Sequence, residues 1–277
     1  MRPPTPAAER RASRAPAGVR LTFLGTGTSF GVPQIGCGCA VCRSPDPHDR
    51  RSRVGALVET DGGRRLLIDT PPELRLQLVD AGVAGVDAVL YTHEHADHTH
   101  GIDDVRAFAA DSAAPLTMYA AAATADALRH KFGYIFDAHA PLAAGTFKPN
   151  GRLQVLHEGV TVRIWDADVT PVRVPHGDST VVFAYRIGPL AYVTDAKAVP
   201  EAALAVLRGA RVLVLNALFR HPHSKHLSIP EAVAVAEQVG AARTYLTHLT
   251  HRIAHADLEA ELPPHVRPAY DGLTVEV

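Results

Sequence analysis

The seven residues Thr92-His-Glu-His-Ala-Asp-His98 constrain this chain more than any other segment. They follow an apolar run, Val86-Asp-Ala-Val-Leu-Tyr91, that reads as a buried strand. His93, His95, Asp97 and His98 therefore leave the core at one point, and the fold has to gather partners for them there. Imidazole and carboxylate are ordinary N and O ligands of zinc and neighbouring divalent ions. In an extended turn, residues two apart point the same way, so His93 and His95 suit one ion. Asp97 and His98 then face a second. The bland alternative is a histidine-rich surface tract in a chain with 16 histidines. A tract that begins directly at the end of a buried strand argues against it, and the spacing reads as half of a two-metal site.

Composition narrows the setting. With 277 residues, 47% of them hydrophobic, the chain is long enough for one large domain with a full core. A formal charge of −1 gives no electrostatic footprint for nucleic acid or an anionic membrane. No apolar run reaches the roughly 18 residues of a transmembrane span. Residues 1–18 are rich in Pro, Ala and Arg and lack the apolar stretch of a signal peptide, so they are expected to form a disordered basic tail ahead of a single domain at 19–277. The three cysteines all fall within residues 37–42, which is no disulfide framework, and a cytoplasmic location is the expectation. A homodimer is the default assembly.

Strands are expected at 19–24, 56–59 and 65–68, the last two joined by a Gly62-Gly63 turn. Glu73 to Ala81 reads as a helix, and 103–110 and 122–131 also look helical. Strands follow at 153–156, 160–164, 168–174, 181–187 and 190–194. Helices at 200–208, 229–238 and 256–261 then alternate with strands at 211–215, 243–247 and 273–277. Each half runs from strands into helices, which predicts an α/β protein with two face-to-face sheets and helices outside, an αββα sandwich.

A two-metal site needs more ligands than the motif holds. His176, Asp195 and His248 each stand where an apolar strand meets a loop; singly, each reads more simply as a capping or hydrogen-bonded residue. Together with the 93–98 run, in this order, they resemble the metallo-β-lactamase superfamily. That resemblance implies an αββα fold and a hydrolase site with two divalent metals, Zn2+ or Mn2+. It implies that His93, His95 and His176 hold one ion, that Asp97, His98 and His248 hold the other, and that Asp195 bridges them. Asp69 matches a position that braces the metal loop; without the resemblance it reads as a helix N-cap.

The cluster Cys37-Gly-Cys39-Ala-Val-Cys42 and His251, three residues after His248, resemble the PhnP-like branch, which includes a cyclic-phosphate phosphodiesterase. Three thiolates need one further ligand to close a tetrahedral structural zinc, and His251 is the candidate if the last strand end lies over the cysteine loop. Three buried free thiols are the alternative. His226 matches a histidine that would contact the scissile phosphate and assist the leaving group. Members of this branch usually carry an acidic residue where this chain has Asn216, which can orient a histidine but cannot raise its pKa by charge. Lys197 reads as a solvated lysine or a phosphate contact, His221 and His223 as loop histidines, and Tyr134 and Phe136 as pocket residues.

The expected function is hydrolysis of a small or cyclic phosphodiester through a hydroxide shared by two metals, with His226 and Asp97 as catalytic residues. Competing readings are a thioester or lactone hydrolase, a nuclease of the tRNA 3′-processing type, for which no basic surface is evident, and a non-hydrolytic PqqB-like binding protein. The last departs from the two-metal ligand set, whereas every ligand position is filled here.

Overall fold

The structure is a computed structural model that describes residues 18–108, 114–137, 146–177 and 180–277. Residues 1–17 of the expected tail and residues 109–110 of the expected helix lie outside the described residues.

Two seven-stranded sheets make the frame. The first contains β1 (Val19–Gly25), β2 (Gly55–Thr60), β3 (Arg65–Ile68), β4 (Ala88–Leu90), β5 (Leu116–Ala120) and β6 (Gly151–Val155). The second contains β7 (Val162–Ile164), β8 (Ala167–His176), β9 (Thr180–Ile187), β10 (Leu190–Val193), β11 (Val212–Asn216), β12 (Arg243–Thr247) and β13 (Val266–Pro268). The last strand, β14 (Thr274–Glu276), returns to pair antiparallel with β1 at the edge of the first sheet. Each sheet begins with antiparallel neighbours and continues in parallel pairs, from β3 to β6 and from β10 to β13.

The helices are α1 (Leu74–Asp80), α2 (Ala96–Thr99), α3 (Ala122–Lys131), α4 (Gly133–Phe136), α5 (Glu201–Leu207), α6 (Ile229–Val239) and α7 (His255–Glu261). None of the described helices is long and apolar enough to cross a membrane.

Strand periodicity explains the four layers. Leu66, Ile68 and Leu90 face the opposite sheet, where they meet Phe183, Tyr185 and Tyr192. Their neighbours Leu67, Val89 and Tyr91 point outward into a core shared with α1 and α3. The second sheet repeats the pattern: Val212 and Val214 point inward, Leu213 and Leu215 outward to α5 and α6. A strand buried on both faces has no polar side, which is why these segments read as unbroken apolar runs. Each fully buried Leu or Ile contributes about 1.5–3 kcal/mol, so the three cores supply the main driving force for the sandwich.

Local signals set the ends of α6. Ser228 caps it reciprocally with Glu231, Pro230 occupies its first turn, and Gly240 closes it at φ 69°. That cap fixes the helix start three residues after His226.

Several elements differ from the sequence expectation. Residues Ile102–Phe108 form a 3-10 helix rather than an α-helix. β5 was not anticipated, because its Leu-Thr-Met-Tyr-Ala stretch runs directly into alanines that favour helix. β13 is three residues long and ends on Pro268, which an edge strand tolerates because its N–H is not needed. α2 and α4 are single turns, too short to leave a periodic signal.

Because β3, β4, β8, β10, β11 and β12 run in one direction within their sheets, their C-terminal ends and the loops after them gather at one rim. Two hydrogen bonds stitch the sheets together there: Tyr185 Oη donates to Tyr91 O at 2.5 Å and Phe183 N to Thr92 O at 2.9 Å.

Candidate metal centre

The rim collects the residues singled out in the sequence. His93 and His95 leave β4 in extended conformation, and His95 then starts α2, which carries Asp97 and His98. The separation of the two pairs thus comes from a change of conformation at Ala96, rather than from one extended turn. His176 ends β8, Asp195 follows β10 and His248 follows β12.

Ligand atoms lie within 4.8 Å of one another in each of four groups: His93, His95 and His176; Asp97, His98 and His248; His93, His98 and Asp195; and His176, Asp195 and His226. Asp195 is the hub. Its Oδ2 is 3.2 Å from His98 Nε2, and its Oδ1 is 3.3 Å from His248 Nε2 and 4.0 Å from His176 Nε2.

Backbone conformation marks the same residues. Four described non-glycine residues have positive φ, and three of them are Asp69 (62°), Asp195 (54°) and His248 (57°). Left-handed backbone disfavours side chains with a Cβ, and such residues persist where the surroundings over-determine them.

The histidines are held from behind. Asp69, fully buried, accepts from Thr92 N and Thr92 Oγ1 at 2.8 Å each and pairs with His98 Nδ1 at 2.7 Å. This fixes a proton of His98 on Nδ1 and turns its Nε2 toward the rim. His176 Nδ1 donates to Lys225 O at 3.1 Å, and His93 Nδ1 lies 3.0 Å from Thr92 Oγ1.

The outward nitrogens test whether cations fit. Nε2 of His93, His98 and His248 and Nδ1 of His226 are buried without a hydrogen-bond partner. Buried polar atoms are normally satisfied, so four such imidazole nitrogens converging on carboxylates are a donor set for divalent ions.

Electrostatics point the same way. Burial alone would raise the Asp195 carboxyl, but His248 and His98 outweigh it and hold it well below the usual range. Burial would lower His98, yet Asp195 and Asp69 keep it well above its ordinary value. His93 is driven well below by burial and by His98, and burial also lowers His248. Burial and the adjacent His248 push His226 down to about 3. At neutral pH, His226 is therefore a neutral imidazole, able to donate one hydrogen bond but not to serve as an imidazolium acid.

A second cluster lies on the long segment between β1 and β2. His251 Nδ1 stands 3.2, 3.4 and 3.5 Å from the sulfurs of Cys37, Cys39 and Cys42. The three thiols are half-buried rather than buried, unlike a set of core cysteines. A fully buried Arg51 ties this segment down: its guanidinium donates to Thr250 O and Ile253 O and pairs with Asp49. Leu249 N donates to Thr26 O at 2.8 Å and Thr28 N to Leu249 O at 3.2 Å. The end of β12 therefore does lie against the cysteine loop.

Other expectations resolve differently. Asn216 hydrogen-bonds to no histidine among the described residues; it accepts from Ala196 N at 2.7 Å and donates to Ala196 O at 3.0 Å. Ala196 O also accepts from Leu227 N at 2.7 Å, so one buried amide fixes the backbone after Asp195 and the stretch after His226. Lys197 Nζ pairs with Glu231 Oε1 at 2.7 Å at the start of α6. Tyr134 is exposed and donates to Asp103 Oδ1 at 2.6 Å, whereas Phe136 is partly buried against the core shared with α3. Sequence reasoning missed Thr92, the Lys225 carbonyl and the Arg51–Asp49 pair. A buried arginine near the cysteines was the one signal available.

The sandwich, with paired histidine and carboxylate clusters at its rim, defines a metal-dependent hydrolase. Residues 64–249 match the Beta-lactamase superfamily domain, and the chain belongs to that superfamily, in its PhnP-like part. The solved structure of a diphosphatase from the PhnP family superposes with a TM-score of 0.85 at 39% identity, covering 94% of this chain and 98% of that one. The octanoyltransferase of Porphyromonas gingivalis is 38% identical over 92% of this chain, which spans about half (51%) of that relative's length. Ribonuclease Z of a Mycobacterium species is 30% identical, with 85% of this chain and 86% of the relative covered.

Proposed function

We propose that this protein is a metal-dependent phosphodiesterase acting on a small or cyclic phosphodiester. The observation that carries the reading is the convergence of two ligand triads on the carboxylate of Asp195. His93, His95 and His176 would hold one divalent ion, Asp97, His98 and His248 the other, and Asp195 both. When bound, such a pair supplies an acidified water and neutralises charge on the phosphoryl oxygens. Asp69 and the Lys225 carbonyl keep the imidazoles aimed, and Asn216 holds the backbone that presents Asp195.

His226 lies beside the hub, its Nδ1 3.6 Å from Asp195 Oδ1. As a neutral donor it steadies the leaving oxygen by a hydrogen bond rather than protonating it. Cys37, Cys39, Cys42 and His251 match the ligand set of a structural zinc, which would pin the loop against the end of β12.

The test is turnover of bis(p-nitrophenyl) phosphate by metal-loaded protein beside its Asp97→Ala variant. The expected result is turnover by the parent that falls at least about 100-fold in the variant. No turnover by protein shown to be metal-filled would sink the diesterase reading. Precursor tRNA and an octanoyl thioester belong in the same assay, since relatives are named ribonuclease Z and octanoyltransferase. The formal charge of −1 offers little for an RNA backbone, which weighs against the nuclease.

A further inference from the structure

The outer face of the first sheet is covered only in part. Leu67 and Val89 lie under Leu74 and Leu78 of α1, whereas β1 and β2 turn Arg20, Thr22 and Glu59 outward. Between α1 and these two strands, and bounded also by Asp271, Gly272 and Thr274, runs a cleft of about 710 Å³. That volume is within the range of small-molecule sites. The cleft shares no residue with the metal centre.

One wall holds a half-satisfied amide. Gln77 is only 6% exposed. Its Nε2 donates to Ser52 Oγ at 2.8 Å and to Arg53 O at 2.9 Å, which engages both protons. Its Oε1 is buried without a partner among the described residues. A Cβ at Gly25 would stand 2.5 Å from Gln77 Nε2, so the glycine is what gives this amide its place. One helical turn earlier, Glu73 pairs with Arg53 through Oε1, and its Oε2 is likewise buried and unpartnered. Residues four apart share a helix face, so both open acceptors lie on the side of α1 that lines the cleft. Buried polar atoms are normally satisfied, and a bound donor is the expected partner here.

The charge of the cleft has the matching sign. Glu59, Glu73, Asp80 and Asp271 line it against Arg20 and Arg65. Both arginines close on Glu59, at 2.6 and 3.1 Å. Asp271 accepts from Ser52 N, Ser52 Oγ and Thr26 Oγ1. The surplus is therefore negative, and its open acceptors are those of Glu73 and Gln77. Leu57, Val83 and Leu76, the last of them 51% exposed, supply an apolar surface beside them.

We propose that this cleft is a second binding site, which takes a small molecule bearing an amidinium or guanidinium group on a compact apolar body. The planar cation donates one N–H to Glu73 Oε2 and another to Gln77 Oε1, and the apolar body lies on Leu57, Leu76 and Val83. A charge-assisted contact with two prongs selects orientation as well as sign. A lone ammonium lacks the rigid fork and fits less well. The inference goes beyond the hydrolase reading and does not depend on it.

Benzamidine is the probe, titrated into the zinc-loaded full chain and followed by the 1H–15N signals of the Gln77 side-chain amide and of α1. Benzoate, of similar shape and opposite charge, is the control. Benzamidine is expected to saturate with a Kd of about 1 mM, while benzoate leaves these signals in place. Glu73→Gln keeps the shape and should weaken binding about three- to tenfold. Leu76→Arg, at an exposed position outside the metal centre, brings its own cation into the cleft and should weaken binding more than about tenfold at unchanged metal content. No saturable shift up to about 10 mM, an equal response to benzoate, or parent-like binding by both variants overturns the site.

Discussion

The histidine–carboxylate centre and the thiolate cluster sit three residues apart in sequence, at His248 and His251, yet they are built in opposite ways. The first draws its side chains from α2 and from the ends of β4, β8, β10 and β12, buries five of the seven, and holds Asp69, Asp195 and His248 in left-handed backbone. The second draws three of its four side chains from six consecutive residues of an irregular loop and leaves them half-exposed. Strand ends locked into two sheets cannot relax, so their geometry exists before any ion arrives. A loop of small residues owes its shape to Arg51, to the Leu249 ladder and to whatever its sulfurs bind. The first centre is preorganised for chemistry and the second is suited to holding structure.

The sharpest way to break this comparison is Asp195→Asn. Removing the hub charge should cost more than about 100-fold in activity and in ion affinity at the histidine centre, with the thiolate cluster still able to bind zinc. Metal content measured per cluster checks it; equal losses at both would mean that they form one cooperative unit. Asp69→Asn comes next. It keeps the shape but removes the charge behind His98, and an affinity loss of about 10–100-fold is expected. A competition titration against a chelator reads it, and an unchanged constant would reduce Asp69 to a fold residue.

Asn216→Asp is milder. The carboxylate can still accept from Ala196 N but faces Ala196 O without a proton to donate, costing about 1–3 kcal/mol of stability. A thermal melt checks the size, and His226 should shift with the Ala196–Leu227 connection.

The smallest perturbation concerns the metal-free thiols. A backbone hydrogen bond from Cys42 helps bring the Cys39 thiol down to about 6, whereas burial raises Cys42 to about 11. A depressed pKa makes Cys39 a thiolate above that value, so at pH 7 iodoacetamide should alkylate Cys39 well before Cys42. Its rate should rise as pH passes through about 6, and zinc should protect both. Equal rates, read by mass spectrometry, would remove the distinction between the two sulfurs.

Much of the fold was legible because both sheets are covered on both faces, so that strands such as Val212–Asn216 announce themselves as apolar runs. The candidate ligands were legible for a related reason. A polar residue directly after such a run, as at His93, Asp195 or His248, has little structural reason to be there. What stayed hidden has no side-chain signature. The Lys225 carbonyl behind His176 is backbone, positive φ at Asp69 contradicts residue preference, and the Asn216–Ala196 bracket joins two strands that only the sheet makes neighbours. The short β13 and the alanine-flanked β5 were lost to ambiguous local preference.

The stretch from His248 to His251 acts as a ruler. Its first residue faces Asp195, its second is clamped by Thr26 and Thr28, its third accepts Arg51, and its fourth reaches the cysteines. Every position is occupied, so one inserted or deleted residue would swing one histidine off its cluster whatever its identity. Side chains elsewhere in the loop can drift over evolutionary time, but here the count of residues is itself the conserved quantity to expect.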